Sequence, residues 1–344
     1  MPLKRTLRLA GLTLFPLFND PSPPVPARYE GWRWKGDTSS DEVMGHIFAF
    51  TAVATLAPTA PQRAAARAQL VEIVGTIVDN GFVMDGVDGN ATTWARWDPA
   101  EVNCRRSFSD ERGLQSLQAL AMLAAAANAT GASARAATAE KFAAAYATLC
   151  NATNAYGRNA LNAKIETPCD DNFSDDELTF LPYLTWFSAS VDAHHAGVAF
   201  DPAPIVASLH RTHRVVASER SGLWEAIFFG AVGAGDASLR ASAARDVKWN
   251  LRSWPLSHIH WAHNNSLRQD IYYQPGSDRF GRANVETSHA RDPLPANERN
   301  QLRWNANPWA LSNGAGDGRT ESDPGAFLLP YWYSRYVGLL TAED

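Results

Sequence analysis

The sequence predicts an all-α protein, an (α/α) toroid of helical hairpins with long loops and a small β-hairpin at one mouth. Three observations predict it. Segments with helical periodicity come in pairs joined by short loops, as at 41–56 with 61–78 and at 113–128 with 132–151. No Gly-x-Gly-x-x-Gly and no regular strand–helix alternation occurs, which argues against an α/β sheet. Between Ser253 and Asp323 there is no sustained period, only a long stretch rich in Pro, Asn, Gly and Trp, as expected of loops gathered at one end of a barrel.

Taken in order, residues 1–30 read as an extended lead-in, with a ladder of prolines from Pro21 to Pro26. Residues 31–344 read as one toroid domain. A helix over Asp41–Leu56 carries Val43, Ile47, Phe48 and Phe50. A second over Pro61–Val78 carries Leu70, Ile73, Val74 and Ile77, with Gly81 in the place of a C-terminal capping glycine. Phe82–Arg96 reads as a β-hairpin with a Gly-Asn turn. Further helices are expected at Ser174–Ala189, Ala203–Ala217, Gly222–Phe229, Ala237–Asn250 and near Gly325–Leu340.

Composition narrows the function. The chain has 344 residues, 45% hydrophobic and 19% charged, which is ordinary for a globular protein that buries a sizeable core. A net charge of -5 gives no basic footprint, so nucleic acid is not an expected partner. No run of about 18 apolar residues occurs, so no membrane span is expected. The basic, then apolar, first 18 residues resemble a weak signal peptide without a clear cleavage site, leaving secreted and intracellular locations both open. Three cysteines exclude a disulfide framework, although one Cys150–Cys169 bridge can be drawn. The oligomeric state has no signature.

Twelve tryptophans point to a packed helical core or to stacking platforms for a ligand. Several stand beside acids. Trp34-Lys-Gly-Asp-Thr-Ser-Ser-Asp-Glu-Val-Met-Gly-His46 runs from an aromatic loop through Asp37, Asp41 and Glu42 into a helix. A similar acid-rich helix start follows at Asn172-Phe-Ser-Asp-Asp-Glu-Leu178, and Asp88-Gly-Asn-Ala-Thr-Thr-Trp-Ala-Arg-Trp97 lies between them. With Gly113-Leu-Gln-Ser-Leu-Gln118, Trp304-Asn-Ala-Asn-Pro308 and Phe327-Leu-Leu-Pro-Tyr-Trp332, these strings resemble the signature of a family of largely uncharacterised proteins, over residues 31–340. That family resembles six-hairpin (α/α) toroid glycosidases in architecture. The resemblance implies a carbohydrate-active enzyme with a glycan substrate, by analogy of fold. The chain departs from the family pattern at Tyr333-Ser334.

Glycoside hydrolysis needs two carboxyl groups, one protonated, flanking the scissile bond. Asp41 with Asp176 is the expected pair, with Asp37, Asp175 and Glu42 as alternates. Ser39 and Glu42 also have the spacing of a capping box, which accounts for Glu42 without catalysis. Trp34, His46, Trp94, Arg96 and Trp97 are expected to bind substrate, the rings by stacking on sugar faces and the guanidinium by gripping a carboxylate. Trp304, Asn305 and Asn307 join them from the long loop. No cofactor is expected. Asp85 and Asp88, with Asn90, could hold Ca²⁺ through oxygen ligands, although a turn explains them equally well. The alternatives to a hydrolase are a polysaccharide lyase acting on uronates and a non-catalytic glycan-binding toroid whose acids only cap helices.

Overall fold

The computed structural model describes residues 7–9, 12–16, 33–35, 37–86, 89–130, 136–164, 173–190, 200–255, 257–261, 268–277, 283–288, 292–299, 307–311 and 316–344. It is mostly helical, in line with the all-α expectation. Strands β1 (Leu7–Leu9), β2 (Leu12–Pro16) and β3 (Arg33–Lys35) form an antiparallel sheet ahead of the first helix. Then come α1 (Ser40–Leu56) and α2 (Ala60–Asp79), packed on each other. The short link between them is set by chemistry: Thr59 caps α2 by accepting from the Gln62 N–H, and Pro61 occupies its first turn. Gly81, at φ +67°, ends α2 in the left-handed conformation that costs glycine little.

The hairpin of β4 (Val83–Asp85) and β5 (Ala91–Arg96) follows where its alternation places it. A short α3 (Pro99–Cys104), capped by Asp98, leads into α4 (Arg112–Ala129). Every residue of α4 from Gly113 to Ala127 is buried. From Gly113 to Ala127 only Gln115 and Gln118 are neither apolar nor small, and Leu114, Leu117, Leu120 and Leu123 are followed by alanines. A helix without a polar face has no solvent side to turn outward. It is therefore enclosed by its neighbours, packed against α1, α2, α3 and three later helices: α5 (Ala136–Cys150), α6 (Tyr156–Asn159) and α7 (Ser174–Ser190). Gly113 is required here, because a Cβ would stand 2.0 Å from the Asn162 carbonyl oxygen.

The rest of the helical part is α8 (Ala203–Val216), α9 (Gly222–Val232), α10 (Ala237–Arg252) and, after the long loop, α11 (Gly325–Tyr336). Helix α9 packs on α7, α8, α10 and α11. The long segment 253–323, expected to be loop throughout, contains four strands among its described residues. Strand β6 (Ile259–Trp261) pairs with the distant β9 (Asp317–Glu321), and β7 (Tyr272–Ser277) with β8 (Ala283–Ser288). The short helices α3 and α6 were likewise not expected, since four to six residues carry too little periodicity to register. Cys150 is a free thiol among the described residues; the Cys150–Cys169 bridge involves Cys169, which lies outside them. Among the described residues no helix is long and apolar enough to cross a membrane.

Candidate functional site

Four helices begin at one face of the molecule. Gln115 on α4 donates to Ser40 Oγ at the start of α1, at 3.3 Å. Asp41 and Glu42 on α1 share a cleft of about 190 Å³ with Ser174, Glu177 and Leu178 on α7. The first turns of α7 and α9 are tied by a buried cluster of charges. These starts collect positive helix-dipole ends, and the acids of α1 and α7 sit where those ends favour negative charge.

The buried cluster is the strongest candidate site. Lys164 follows a single 3-10 turn over 160–162 that leans on α4, and its Nζ stands 2.6 Å from Asp176 Oδ1 in the first turn of α7. Their side chains are 7% and 0% exposed, so solvent does not screen the pair. Glu219 ends a 3-10 turn over 217–219 before α9, and it is buried. Arg220 reverses the chain there at φ +50°. Its guanidinium is held outside by Asp246 at 2.9 Å and Asp292 at 3.1 Å and lies over the Trp249 ring, so the reversal leaves Glu219 turned inward.

The Glu219 carboxyl lies against that of Asp176 and accepts from Trp224 Nε1 at 3.1 Å. A hydrogen bond between two carboxyl groups needs a proton between them. Burial, and then the Asp176 carboxylate beside it, push Glu219 well above the usual carboxylate range, against the opposing pull of Lys164 and Trp224. Glu219 is thus the protonated member. Burial pushes the Lys164 ammonium down, but Asp176 more than offsets this, so its net shift is upward and it stays charged. Arg299 completes the group after a 3-10 turn over 296–298. Its Nε donates to the Leu294 carbonyl at 2.8 Å, while Nη2 is buried without a hydrogen-bond partner. Desolvation lowers Arg299 to about 10 despite the nearby Glu219.

The residues singled out from sequence fall in different places. Asp176 is in the cluster, whereas Asp41 is exposed in the small acidic cleft, and Asp175 contributes to the field at Lys164. Asp37 holds the chain together: at φ +59°, its two carboxylate oxygens accept from Thr93 N at 2.6 Å and Thr93 Oγ1 at 2.8 Å, joining the lead into α1 to β5. Glu42 accepts from the Ser39 N–H at 2.9 Å and closes the expected capping box. His46 is exposed, stacks on Phe50 and shares an open cleft with Asp37, Asp79 and Asp85.

The hairpin aromatics are used in packing. Trp97 is wholly buried with Nε1 donating to Gln118, so it offers no face to a ligand. Trp94 packs at a tilt against Phe108. The Arg96 guanidinium is engaged by Glu101 at 2.8 Å and Asp98 at 3.7 Å, which occupies the fork expected to grip a substrate carboxylate. Asn307 accepts from the Trp309 N–H in a local turn. The backbone of Trp34 lies in β3; Asp88, Trp304 and Asn305 fall outside the described residues. Asp85 is exposed at the end of β4.

Sequence reading missed Lys164, Glu219 and Arg299. One signal was present: the chain has 26 arginines and only five lysines, yet places a lysine, not an arginine, between Ala163 and Ile165. Comparison with family models, with curated proteins and with solved structures finds no match.

Proposed function

We propose that the chain is a glycoside hydrolase-like enzyme acting on a glycan, with Glu219 as proton donor and its helical hairpins closing an (α/α) toroid around the acid-bearing face. The observation that carries this reading is the Asp176–Glu219 pair, two carboxyl groups in a dry setting that share one proton while Lys164 balances the charge. A carboxyl group kept protonated near neutral pH is what protonating a glycosidic oxygen requires. Asp176 orients the donor, and the proton that Glu219 gives up returns with the water that hydrolysis consumes. Two hydrogen-bonded carboxyls leave no room for a sugar between them, so the second carboxylate of a hydrolase has to come from elsewhere. Asp41, exposed in the cleft between the starts of α1 and α7, is the candidate on the same face.

The test is turnover of a broad panel of oligosaccharides and polysaccharides by the wild type and by Glu219→Gln, Asp176→Asn and Asp41→Asn. The reading expects cleavage by the wild type and a loss of about 10²-fold or more in Glu219→Gln. No turnover on any substrate, or full turnover in Glu219→Gln, sinks it. A lyase acting on uronates is the second reading, favoured by the buried Arg299 Nη2, which has no hydrogen-bond partner. It would yield an unsaturated uronate visible by its ultraviolet absorbance, where a hydrolase yields only a new reducing end.

A further inference from the structure

The helix ends opposite the acid-bearing face enclose a second cleft, of about 420 Å³. It lies between the later turns of α1, α7 and α9 and the length of α11. At 1.5 Å per residue, Thr185 on its wall is about 13 Å along α7 from Asp176, so the two sites are separate. Its walls are Phe48, Leu184, Phe187, Leu329, Tyr333 and Val337, and no charged side chain lines it. The rim is aromatic: Trp332 and Tyr336 are 60% and 64% exposed. Gly230 lets α11 close on α9 here, since a Cβ would meet Val337 at 2.8 Å and the Tyr333 hydroxyl at 2.9 Å.

Three threonines reach this cleft, and they differ. Thr51 donates to the Ile47 carbonyl at 2.8 Å and Thr55 to the Thr51 carbonyl at 3.0 Å, so both donors are used within α1. Thr185 is 0% exposed, and its hydroxyl has no hydrogen-bond partner. A buried hydroxyl left without a partner is costly, and native proteins rarely leave one without reason. It sits in the wall of a mostly apolar cavity whose size is that of a small-molecule site.

We propose that this cleft binds a neutral, mainly aromatic or alicyclic molecule of one or two fused rings, carrying a single hydroxyl or carbonyl that pairs with Thr185. The ring body fills the space between Phe48, Phe187 and Tyr333. Absence of charge in the lining excludes carboxylates, phosphates and amines, whose desolvation nothing there would offset. The exposed rings of Trp332 and Tyr336 close over the ligand from solvent.

The test titrates the full chain with 2-naphthol and with naphthalene, following ligand and tryptophan fluorescence. Saturable one-to-one binding of 2-naphthol is expected. Thr185→Val keeps the shape and removes the hydroxyl; it is expected to weaken 2-naphthol about 3- to 10-fold and leave naphthalene unchanged. Ala52→Trp and Ser188→Phe fill the cleft from α1 and α7 respectively and are expected to abolish binding of both probes, with thermal unfolding as the check on folding. The proposal is overturned by absence of saturable binding, by equal loss of both probes in Thr185→Val, or by unchanged binding in a folded filled variant. It is also overturned if light scattering finds a wild-type dimer that Ala52→Trp converts to monomer, which would make this face an interface between copies.

Discussion

Replacing Lys164 by Met removes a charge while keeping most of the side chain's apolar volume. The pair it breaks is 2.6 Å long with side chains 7% and 0% exposed, so no discount for solvent applies. Asp176 would be left as a buried carboxylate beside Glu219 with its nearest cation gone. Losing one partner of such a pair costs about 3–5 kcal/mol. An unfolding entropy near 2 cal/mol/K per residue gives about 0.7 kcal/mol/K for a chain of this size, so the melting temperature should fall by about 4–7 °C at pH 7. The orphaned carboxylate can escape by taking up a proton, which becomes easier toward the ordinary carboxylate range, so the deficit should shrink at about pH 5. Adding Asp176→Asn should recover most of the loss, because the double variant buries no unbalanced charge. Calorimetry on the wild type, both single variants and the double variant reads all of this. A melting temperature within about 1 °C of wild type in Lys164→Met, or a double variant whose loss is the sum of the singles, would refute the buried pair.

Three further outcomes follow from the same geometry. Glu219 keeps its proton in the folded chain above the pH at which the unfolded chain releases it, so the unfolded state binds fewer protons and this residue erodes stability as pH rises from the ordinary glutamate value of about 4.3. Glu219→Gln cannot lose a proton, so its melting temperature relative to wild type should rise between about pH 5 and 8; a flat or falling difference contradicts the assignment. Gly113→Ala should destabilise by about 1–3 kcal/mol through the Asn162 backbone, although alanine alone would favour the helix by about 1 kcal/mol; a gain in chemical denaturation would show the close approach to be absent. Asp37→Ala loses both bonds to Thr93 and the short polar side chain that tolerates positive φ, costing about 1–2 kcal/mol, while Asp37→Asn, which keeps that tolerance, should cost under half as much.

The longer helices were legible because each declares itself locally. Pro61, Ser39 with Glu42 and Gly81 mark ends, and the apolar period marks the buried stripes. The β4–β5 hairpin was legible for the same reason. Strands β6 and β9 were not, because Ile259 pairs with Glu321 across most of the long loop, and three to five residues carry no period of their own. The cluster was half legible. Asp176 stood out as an acid at a helix start, but its neighbours come from turns whose only regularity is tertiary, and a single buried Lys or Glu leaves no pattern in a sequence. Asp37 and Arg96 show the converse. Their residue types read as chemistry, and the fold engages both in holding β5 and its flanks in place.

The burial of α4 on every side bears on how the molecule comes apart. A segment without a solvent face gains nothing from forming early, and it becomes stable only when α1, α2, α5 and α7 have closed around it. Its amides should therefore be the last to exchange with solvent, opening only in the global transition. Fragments cut on either side of it would lack what they pack against, so limited proteolysis should trim ends and loops or destroy the chain, without releasing a stable half.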